Sequence, residues 1–189
     1  KEVIFRQGTR TSHMMFIRSG YVKIYKEGRN NKFIVLQVGK PGNLLGLVSI
    51  FGGQLHQYSA SAIDEVEIVY IDFSTFHRII QDNGQFSVKL IHILSTEGLY
   101  IFDRLMSQSH KQLPGRIADV LLYFSEHIYN SNTFVFPFTR RELAELAGTT
   151  KESFIRTLTE FKNDKIIKLD GSKVEIVSAK IVKTLSDLG

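Results

Sequence analysis

Two helix-start signatures ten residues apart constrain this chain more than any other feature. Thr139-Arg140-Arg141-Glu142 fits a capping box, in which the threonine hydroxyl accepts from the amide three residues on and the glutamate reaches back to the threonine amide. Thr149-Thr150-Lys151-Glu152 repeats the signature, and Gly148 lies between the two, where a tight turn is needed. Helix starts this close predict a helix-turn-helix: Leu143 and Ala147 face the core, Ala144 is small where the helices cross, and Phe154 and Leu158 anchor the second helix. An unrelated pair of antiparallel helices is the competing reading. Beyond them, residues 166–169 and 174–177 alternate around Asp170-Gly171, a strong hairpin signal. A hairpin directly after the second helix makes the module winged.

In a winged module the second helix enters the major groove by its N-terminal residues. Here those are Thr149, Thr150, Lys151, Glu152, Ser153 and Arg156. Arg156 suits bidentate binding to guanine O6 and N7, and Glu152 suits acceptance from cytosine N4. Lys151 suits a base or a phosphate, while Thr150 and Ser153 suit positioning of the DNA backbone. Arg140 and Arg141 read as phosphate contacts or solvated charges, which supply affinity with little specificity. For each charged residue an ordinary exposed helix surface is the alternative. The formal charge of +5 agrees with a nucleic-acid partner, but basic residues are spread over both halves, so charge alone is a weak pointer.

The first part of the chain is organised differently. Eight of the 14 glycines lie in the first 53 residues, between short runs of branched and aromatic side chains at 3–5, 14–17, 21–25, 33–38 and 66–71. Such punctuation predicts an antiparallel barrel or roll over residues 1–75. After Asp72 the apolar period lengthens to that of helices, and Ile91, Leu94, Gly98, Ile101 and Leu105 are spaced 3, 4, 3, 4, like the seam of a coiled coil. Val88, Leu90, Ile93, Leu99 and Phe102 lie off that seam, so the helix has a second apolar face. It can bury one side on the roll and the other on a copy of itself, or be an ordinary core helix of a monomer. Gly98 costs helix stability, which a close helix-helix approach explains and which a merely tolerated glycine explains nearly as well. Helix restarts at Pro114 and runs amphipathically over 115–125, and a polar linker at 130–133 precedes the apolar run 134–138. The expected organisation is a roll over 1–84, a dimerisation helix and hinge over 85–110, and a DNA-binding module over 111–189. The chain opens at Lys1 without methionine, so an upstream segment is expected to be missing.

A glycine-punctuated roll, a seam helix and a winged helix-turn-helix, in that order, resemble the cyclic-AMP receptor protein and fumarate-nitrate reductase regulator (CRP/FNR) family of bacterial transcription regulators. The likeness covers nearly the whole chain. Its specific parts are Gly115-Arg116-Ile117-Ala118 and the stretch from Thr139 to Arg156; Pro41-Gly42-Asn43-Leu44-Leu45-Gly46, similar to the turn before the family's ligand pocket, is less specific. The resemblance implies an α+β fold: an N-terminal antiparallel, cyclic-nucleotide-binding-like β-roll, a long dimerisation helix and a C-terminal winged helix-turn-helix. It also implies a cytoplasmic homodimer that reads a two-fold symmetric site on double-stranded DNA, with Lys151, Glu152 and Arg156 at the base-reading positions. RNA polymerase is the further partner expected, and a small-molecule effector in the roll would repack the seam and swing the winged modules about a hinge near 107–114.

The effector is where the chain departs from the family pattern. Cyclic-AMP binders place a glutamate and an Arg-Ser pair where this chain has Leu47 and Tyr58-Ser59. Burying a cyclic phosphate without a cation is costly, and leucine offers a ribose nothing. On the long helix, where such proteins use polar groups for adenine, this chain has Ile101 and Phe102. Leu45, Leu47, Tyr58, Ser59, Ile101 and Phe102 are therefore candidates to line a pocket for an apolar ligand, with plain core as the alternative. The sequence has no cysteine, which argues against an iron-sulfur cluster, a thiolate-held metal or a disulfide framework within these residues. Haem stays open as a cofactor through His13, His56 or His92, although no two histidines have metal-ligand spacing and no metal site is expected. No stretch approaches the roughly 18 apolar residues that span a bilayer, so no membrane partner is expected. H-x-H, H-E-x-x-H, phosphate-binding glycine loops and G-x-S-x-G are all missing, which predicts a binding protein rather than an enzyme. The alternative function is a ligand- or haem-binding sensor that acts through protein contacts, without sequence-specific DNA binding.

Overall fold

A computed structural model describes residues 2–28 and 33–189; Lys1 and residues 29–32 of the expected roll lie outside the described residues. The chain divides into two compact units, Lys1–Ile101 and Phe102–Gly189, so the boundary falls within the 85–110 segment.

The first unit opens with β1 (Val3–Phe5), β2 (His13–Ser19), β3 (Val22–Glu27), β4 (Phe33–Gly39), β5 (Leu44–Leu45), α1 (Leu47–Phe51), β6 (Ser59–Ala62) and β7 (Glu67–Asp72). Its strands form two antiparallel sheets, ordered β1-β6-β3-β4 and β5-β2-β7. The side chains of β2 show what covers them. Met15 and Ile17 enter one core with Phe5, Val22, Ile24, Leu45 and Ala60. Met14, on the opposite face of the strand, is equally buried in a second core with Leu47, Ile50, Phe76 and Leu90. Alternation places successive residues on opposite faces, so a strand covered on both faces is apolar on both.

The second cover is helical. Asp72 caps α2 (Phe73–Asp82), accepting from the Ser74 hydroxyl at 2.6 Å and the Thr75 amide at 2.9 Å, and these bonds hold its carboxyl well below the usual carboxylate range. The long helix α3 (Gly84–His110) follows, with Leu90 buried and Leu94 packed against the same core. This corrects the expected seam in one respect, because Leu94 leans toward its own chain. Ile91, Ile101 and Leu105 are exposed at 63%, 63% and 61%, but so are Val88, Leu99, Phe102 and Met106 at 66%, 61%, 64% and 56%. The outward stripe thus centres on Val88, Ile91, Leu99, Phe102 and Met106. A methyl group added at Gly98 meets nothing within 4 Å, so no close approach within this chain requires that glycine.

The second unit comprises the last turns of α3, α4 (Leu113–Leu122), a π-helical segment (Tyr123–Ile128), β8 (Thr133–Val135), α5 (Arg140–Leu146), α6 (Lys151–Asn163), β9 (Ile167–Asp170), β10 (Lys173–Ile176) and α7 (Ala179–Leu188). Pro114 sits in the first turn of α4, as expected, but α-helical geometry ends at Leu122 rather than continuing to Ser125. The ring of Phe124 is the hub of an aromatic core, with Phe134, Phe136 and Phe138 at centroid distances of 6.1, 5.3 and 5.9 Å. The sheet order is β8-β10-β9.

Gly115 lies in α4 where its backbone closely approaches the last turn of α7 and Gly189. A Cβ there would stand 2.6 Å from the Gly189 Cα and 2.9 Å from the Leu185 carbonyl oxygen, both of them backbone atoms. Gly115→Ala is therefore expected to destabilise the fold by about 1–3 kcal/mol, the cost of overpacking, seen as a fall of several degrees in the melting temperature by calorimetry.

Candidate nucleic-acid interface

The site is built from the first helix of the motif outward. Thr139 caps α5: its Oγ1 accepts from the Glu142 amide at 3.3 Å, and Glu142 Oε2 accepts from the Thr139 amide at 2.8 Å. The expected capping box is formed, and Glu142 is buried in forming it. Leu143, Ala144 and Ala147 are buried on the expected side. Gly148 makes the turn at φ +63°, a left-handed conformation that favours glycine, and the Thr149 amide donates to the Ala144 carbonyl.

The second helix starts one residue later than its signature predicts. Thr150, not Thr149, caps α6, with its Oγ1 accepting from the Ser153 amide at 3.3 Å. The Thr149 amide is already committed to closing α5, so the chain turns into helix at the next residue. Thr150 also donates its hydroxyl to Ser153 Oγ at 3.0 Å, so both hydroxyls expected to meet DNA backbone serve the cap. Glu152 is consequently not drawn into a capping box. Lys151, Glu152 and Arg156 are exposed and hold no ion pair among the described residues. Phe154, Thr157, Leu158 and Phe161 bury the opposite face of α6, which fixes the side that the three charged residues present.

Arg140 and Arg141 have separate roles. Arg141 is exposed and pairs with Glu145 at 3.2 Å, one helical turn on. Arg140 departs from its expected place as a phosphate contact. Its guanidinium donates to the Gly171 carbonyl at the hairpin turn and lies over the Phe136 ring, 5.6 Å from the centroid. Burial lowers its pKa. It is a strut between the start of α5 and the wing, because the hairpin turn offers a bare carbonyl and an aromatic ring within its reach.

Two cations that the sequence did not mark for a role secure the motif from behind. Arg104 Nη2 donates to the Leu146 carbonyl at 3.2 Å, and Arg116 Nη1 donates to the Gly148 carbonyl at 3.0 Å. Both meet carbonyls at the C-terminal end of α5, where the helix leaves acceptors unpaired and the dipole favours cations. The residues expected to act as a hinge are also bonded into this unit. Lys111 Nζ contacts Asp119 at 2.8 Å, and the Ser107 and Ser186 hydroxyls donate to the same carboxylate. Asp119 thus joins the end of α3, α4 and α7.

In the roll the candidate pocket residues fall into different settings. Leu45 and Leu47 are buried in separate cores. Tyr58 accepts from the Gly46 amide at 2.9 Å, and burial pushes its phenol up to about 12. Ser59 accepts from the Gln7 amide at 2.8 Å and donates to Glu27 Oε1 at 2.7 Å, so a carboxylate stands beside the residue expected at a phosphate position. Ile101 and Phe102 are exposed. His56 is only 4% exposed and stacks on Phe5 with centroids 3.9 Å apart; burial lowers its pKa, and its Nδ1 is buried without a hydrogen-bond partner. His13 is exposed with Nδ1 2.8 Å from the Ser12 hydroxyl, and His92 is exposed beside Thr96. Among the described residues no group of three or more His, Asp and Glu is placed to hold a metal ion.

A two-sheet roll, a long helix and a winged helix-turn-helix with an outward-facing reading helix define a DNA-binding regulator with a sensor-like module. Comparison with known proteins agrees. A family model described as a cyclic nucleotide-binding domain matches residues 1–83, and one described as a Crp-like helix-turn-helix domain matches residues 115–181. The chain is 26% identical over 177 residues to the CRP-like cAMP-activated global transcriptional regulator of Mycobacterium tuberculosis, covering 92% of this chain and 79% of that protein. It is 24% identical over 182 residues to the transcriptional activator protein FnrA of Stutzerimonas stutzeri, covering 94% and 74%. The structure of FixK2 from Bradyrhizobium japonicum shares the fold at a TM-score of 0.88, with 20% identity over 97% of this chain and 92% of that one. The chain belongs to the CRP/FNR family of transcription regulators. No helix among its described residues is long and apolar enough to cross a membrane.

Proposed function

We propose that this regulator acts as a cytoplasmic homodimer on a two-fold symmetric DNA site, and that its roll answers to a signal other than cyclic AMP. The carrying observation is the stripe of α3, where Val88, Ile91, Leu99 and Phe102 are each more than 60% exposed while Leu90 and Leu94 occupy the helix's other side. A large apolar face of this kind favours a second copy of the same helix. Two reading helices related by a two-fold axis suit half-sites about 10 base pairs apart, one turn of DNA. Sedimentation equilibrium tests the assembly, with twice the chain mass expected. RNA polymerase is the proposed further partner, since relatives such as FnrA are named transcriptional activators. The protein works by binding rather than by catalysis.

Three contacts support a signal other than cyclic AMP. Leu47 is sealed in a core, Tyr58 is committed to the Gly46 amide, and Ser59 is bonded to the Glu27 carboxylate. A cyclic phosphate entering there would meet the Glu27 carboxylate beside Ser59. Calorimetric titration with cyclic AMP is expected to give no saturable heat up to about 1 mM, whereas saturable binding at micromolar concentrations would contradict the reading.

Haem is the cofactor we propose for the roll. His13 and His56 line one open groove of about 430 Å³ together with Phe5, Met15 and Tyr70, and Arg6 and Arg10 flank it as partners for carboxylates. The unpartnered Nδ1 of His56 is the observation that favours it. Haem held there by His56 or His13 would supply iron chemistry that responds to gases and redox state. Titrating haem into the anaerobic protein should give a stoichiometric Soret band that moves in His56→Ala or His13→Ala; a free-haem spectrum would exclude it.

A further inference from the structure

The last turns of α3 carry a polar face that the outward apolar stripe does not explain. Arg104, Ser107, Gln108 and Lys111 are spaced 3, 1 and 3 residues apart, so they share one side of the helix. All four side chains meet the DNA-reading module. Ser107 and Lys111 hold the Asp119 carboxylate of α4, while Arg104 and Gln108 reach the turn between α5 and α6. Arg104 Nη2 donates to the Leu146 carbonyl at 3.2 Å, at the end of α5 where the helix dipole favours a cation. Gln108 lies along the turn itself: a Cβ added at Gly148 would stand 3.0 Å from its Cγ and 3.2 Å from its Nε2.

We propose that Arg104 and Gln108 are positioning residues for DNA reading: they fix the α5–α6 turn from the end of the long helix, and through it the direction in which α6 presents Lys151, Glu152 and Arg156. The turn is short and its amides are spent. Those of Ala147, Gly148 and Thr149 donate back to the Leu143, Glu145 and Ala144 carbonyls, which closes α5, and Thr150 already caps α6. What the two helices leave unfixed is the path of the chain between them. Arg104 takes the Leu146 carbonyl, Arg116 of α4 takes the Gly148 carbonyl, and Gln108 fills the space that a side chain at Gly148 would need. A binding site is only as precise as the groups that support it, and a shifted turn tilts the start of α6, where base contacts are made. With four side chains bonded or packed onto the module, residues 104–111 move with the turn as one piece, so a displacement of the end of α3 reaches α6 without a hinge at 107–114. The inference rests on α6 being the reading helix.

The test compares the full chain with Arg104→Ala, Arg104→Lys and Gln108→Ala, each measured on a duplex selected from a random pool and on an unrelated duplex, with the amides of residues 149–153 followed by NMR in the DNA-free protein. Arg104→Ala and Gln108→Ala should each weaken the selected duplex about tenfold, leave the unrelated one within about twofold, and move the Thr150 and Lys151 amides. Arg104→Lys, which keeps a charged donor for the Leu146 carbonyl, should recover most of the loss. In a cycle with Arg156→Ala the combined loss should fall well short of the product of the two single losses, because a positioning residue acts through the reader it positions. Equal losses on both duplexes would make Arg104 a phosphate contact, and losses that multiply in the cycle would make it an independent one. Affinity that falls only in step with the melting temperature would make it a structural strut. Each of these outcomes, or unmoved amides at Thr150 and Lys151, overturns the proposal. If Arg156→Ala itself costs no discrimination, the base-reading role of Arg156 fails, and the amide shifts alone decide the positioning.

Discussion

Arg156→Ala is expected to remove most of the discrimination between a preferred DNA site and bulk DNA. The residue is exposed, in the second turn of the reading helix, and faces away from the core formed by Phe154, Leu158 and Phe161. A bidentate arginine contact to guanine is worth about 1–3 kcal/mol, which is roughly 5- to 150-fold at one half-site. Two half-sites compound that loss in a dimer. Weak binding to unrelated DNA and its salt slope should barely change, because phosphate contacts carry that term. The fold should stay within about 0.5 kcal/mol of the parent, since the side chain has no ion-pair partner among the described residues to lose. A preferred duplex selected from a random pool and measured by anisotropy, against an unrelated duplex at several salt concentrations, reads both quantities. Equal losses on the two duplexes would turn Arg156 into a phosphate contact.

The second large effect is expected from Ile91→Glu with Phe102→Glu. Both side chains are more than 60% exposed in the single chain, so neither substitution opens a core. In a helix pair each would be buried, and burying one large apolar side chain is worth about 1.5–3 kcal/mol, counted twice per dimer. Replacing them by charge adds a desolvation cost. The variant should sediment as a monomer, keep its melting temperature, and lose affinity for a symmetric site. Leu94→Ala gives the contrasting result: that side chain packs against the core cluster that contains Met14, Leu47, Ile50 and Phe76, so its loss should lower the melting temperature and leave association in place. Association weakened by Leu94→Ala and untouched by the double glutamate variant would restore the seam read from spacing alone.

That contrast shows where sequence periodicity reaches its limit. Residues spaced 3 and 4 apart define a stripe, yet Leu94 and Phe102 fit neighbouring stripes nearly equally well, and only burial against the roll decides which one turns inward. The helix-turn-helix was far more legible, because its signals are local and chemical. The Thr139 box, the Gly148 turn and the Asp170-Gly171 hairpin each use residues within a few positions of one another. Even there, two adjacent threonines were equally able to cap α6, and the bond closing α5 chose Thr150. β6 escaped notice because Ser59–Ala62 is a run of small residues without apolar alternation. The roles of Arg140, Arg104 and Arg116 were not legible because their acceptors lie 31, 42 and 32 residues away. A cation's sequence neighbours do not reveal a carbonyl that only the fold brings to it.

The central claim, a two-fold symmetric DNA reader, is tested most directly by the mass and affinity of its DNA complex. Sedimentation of the chain with a selected symmetric duplex, and with the same duplex carrying one scrambled half-site, yields both. Two chains per duplex, with affinity falling about a thousandfold or more when one half-site is scrambled, is the result expected from the contact energies of a half-site. One chain per duplex, with affinity unchanged by the scrambling, would contradict it.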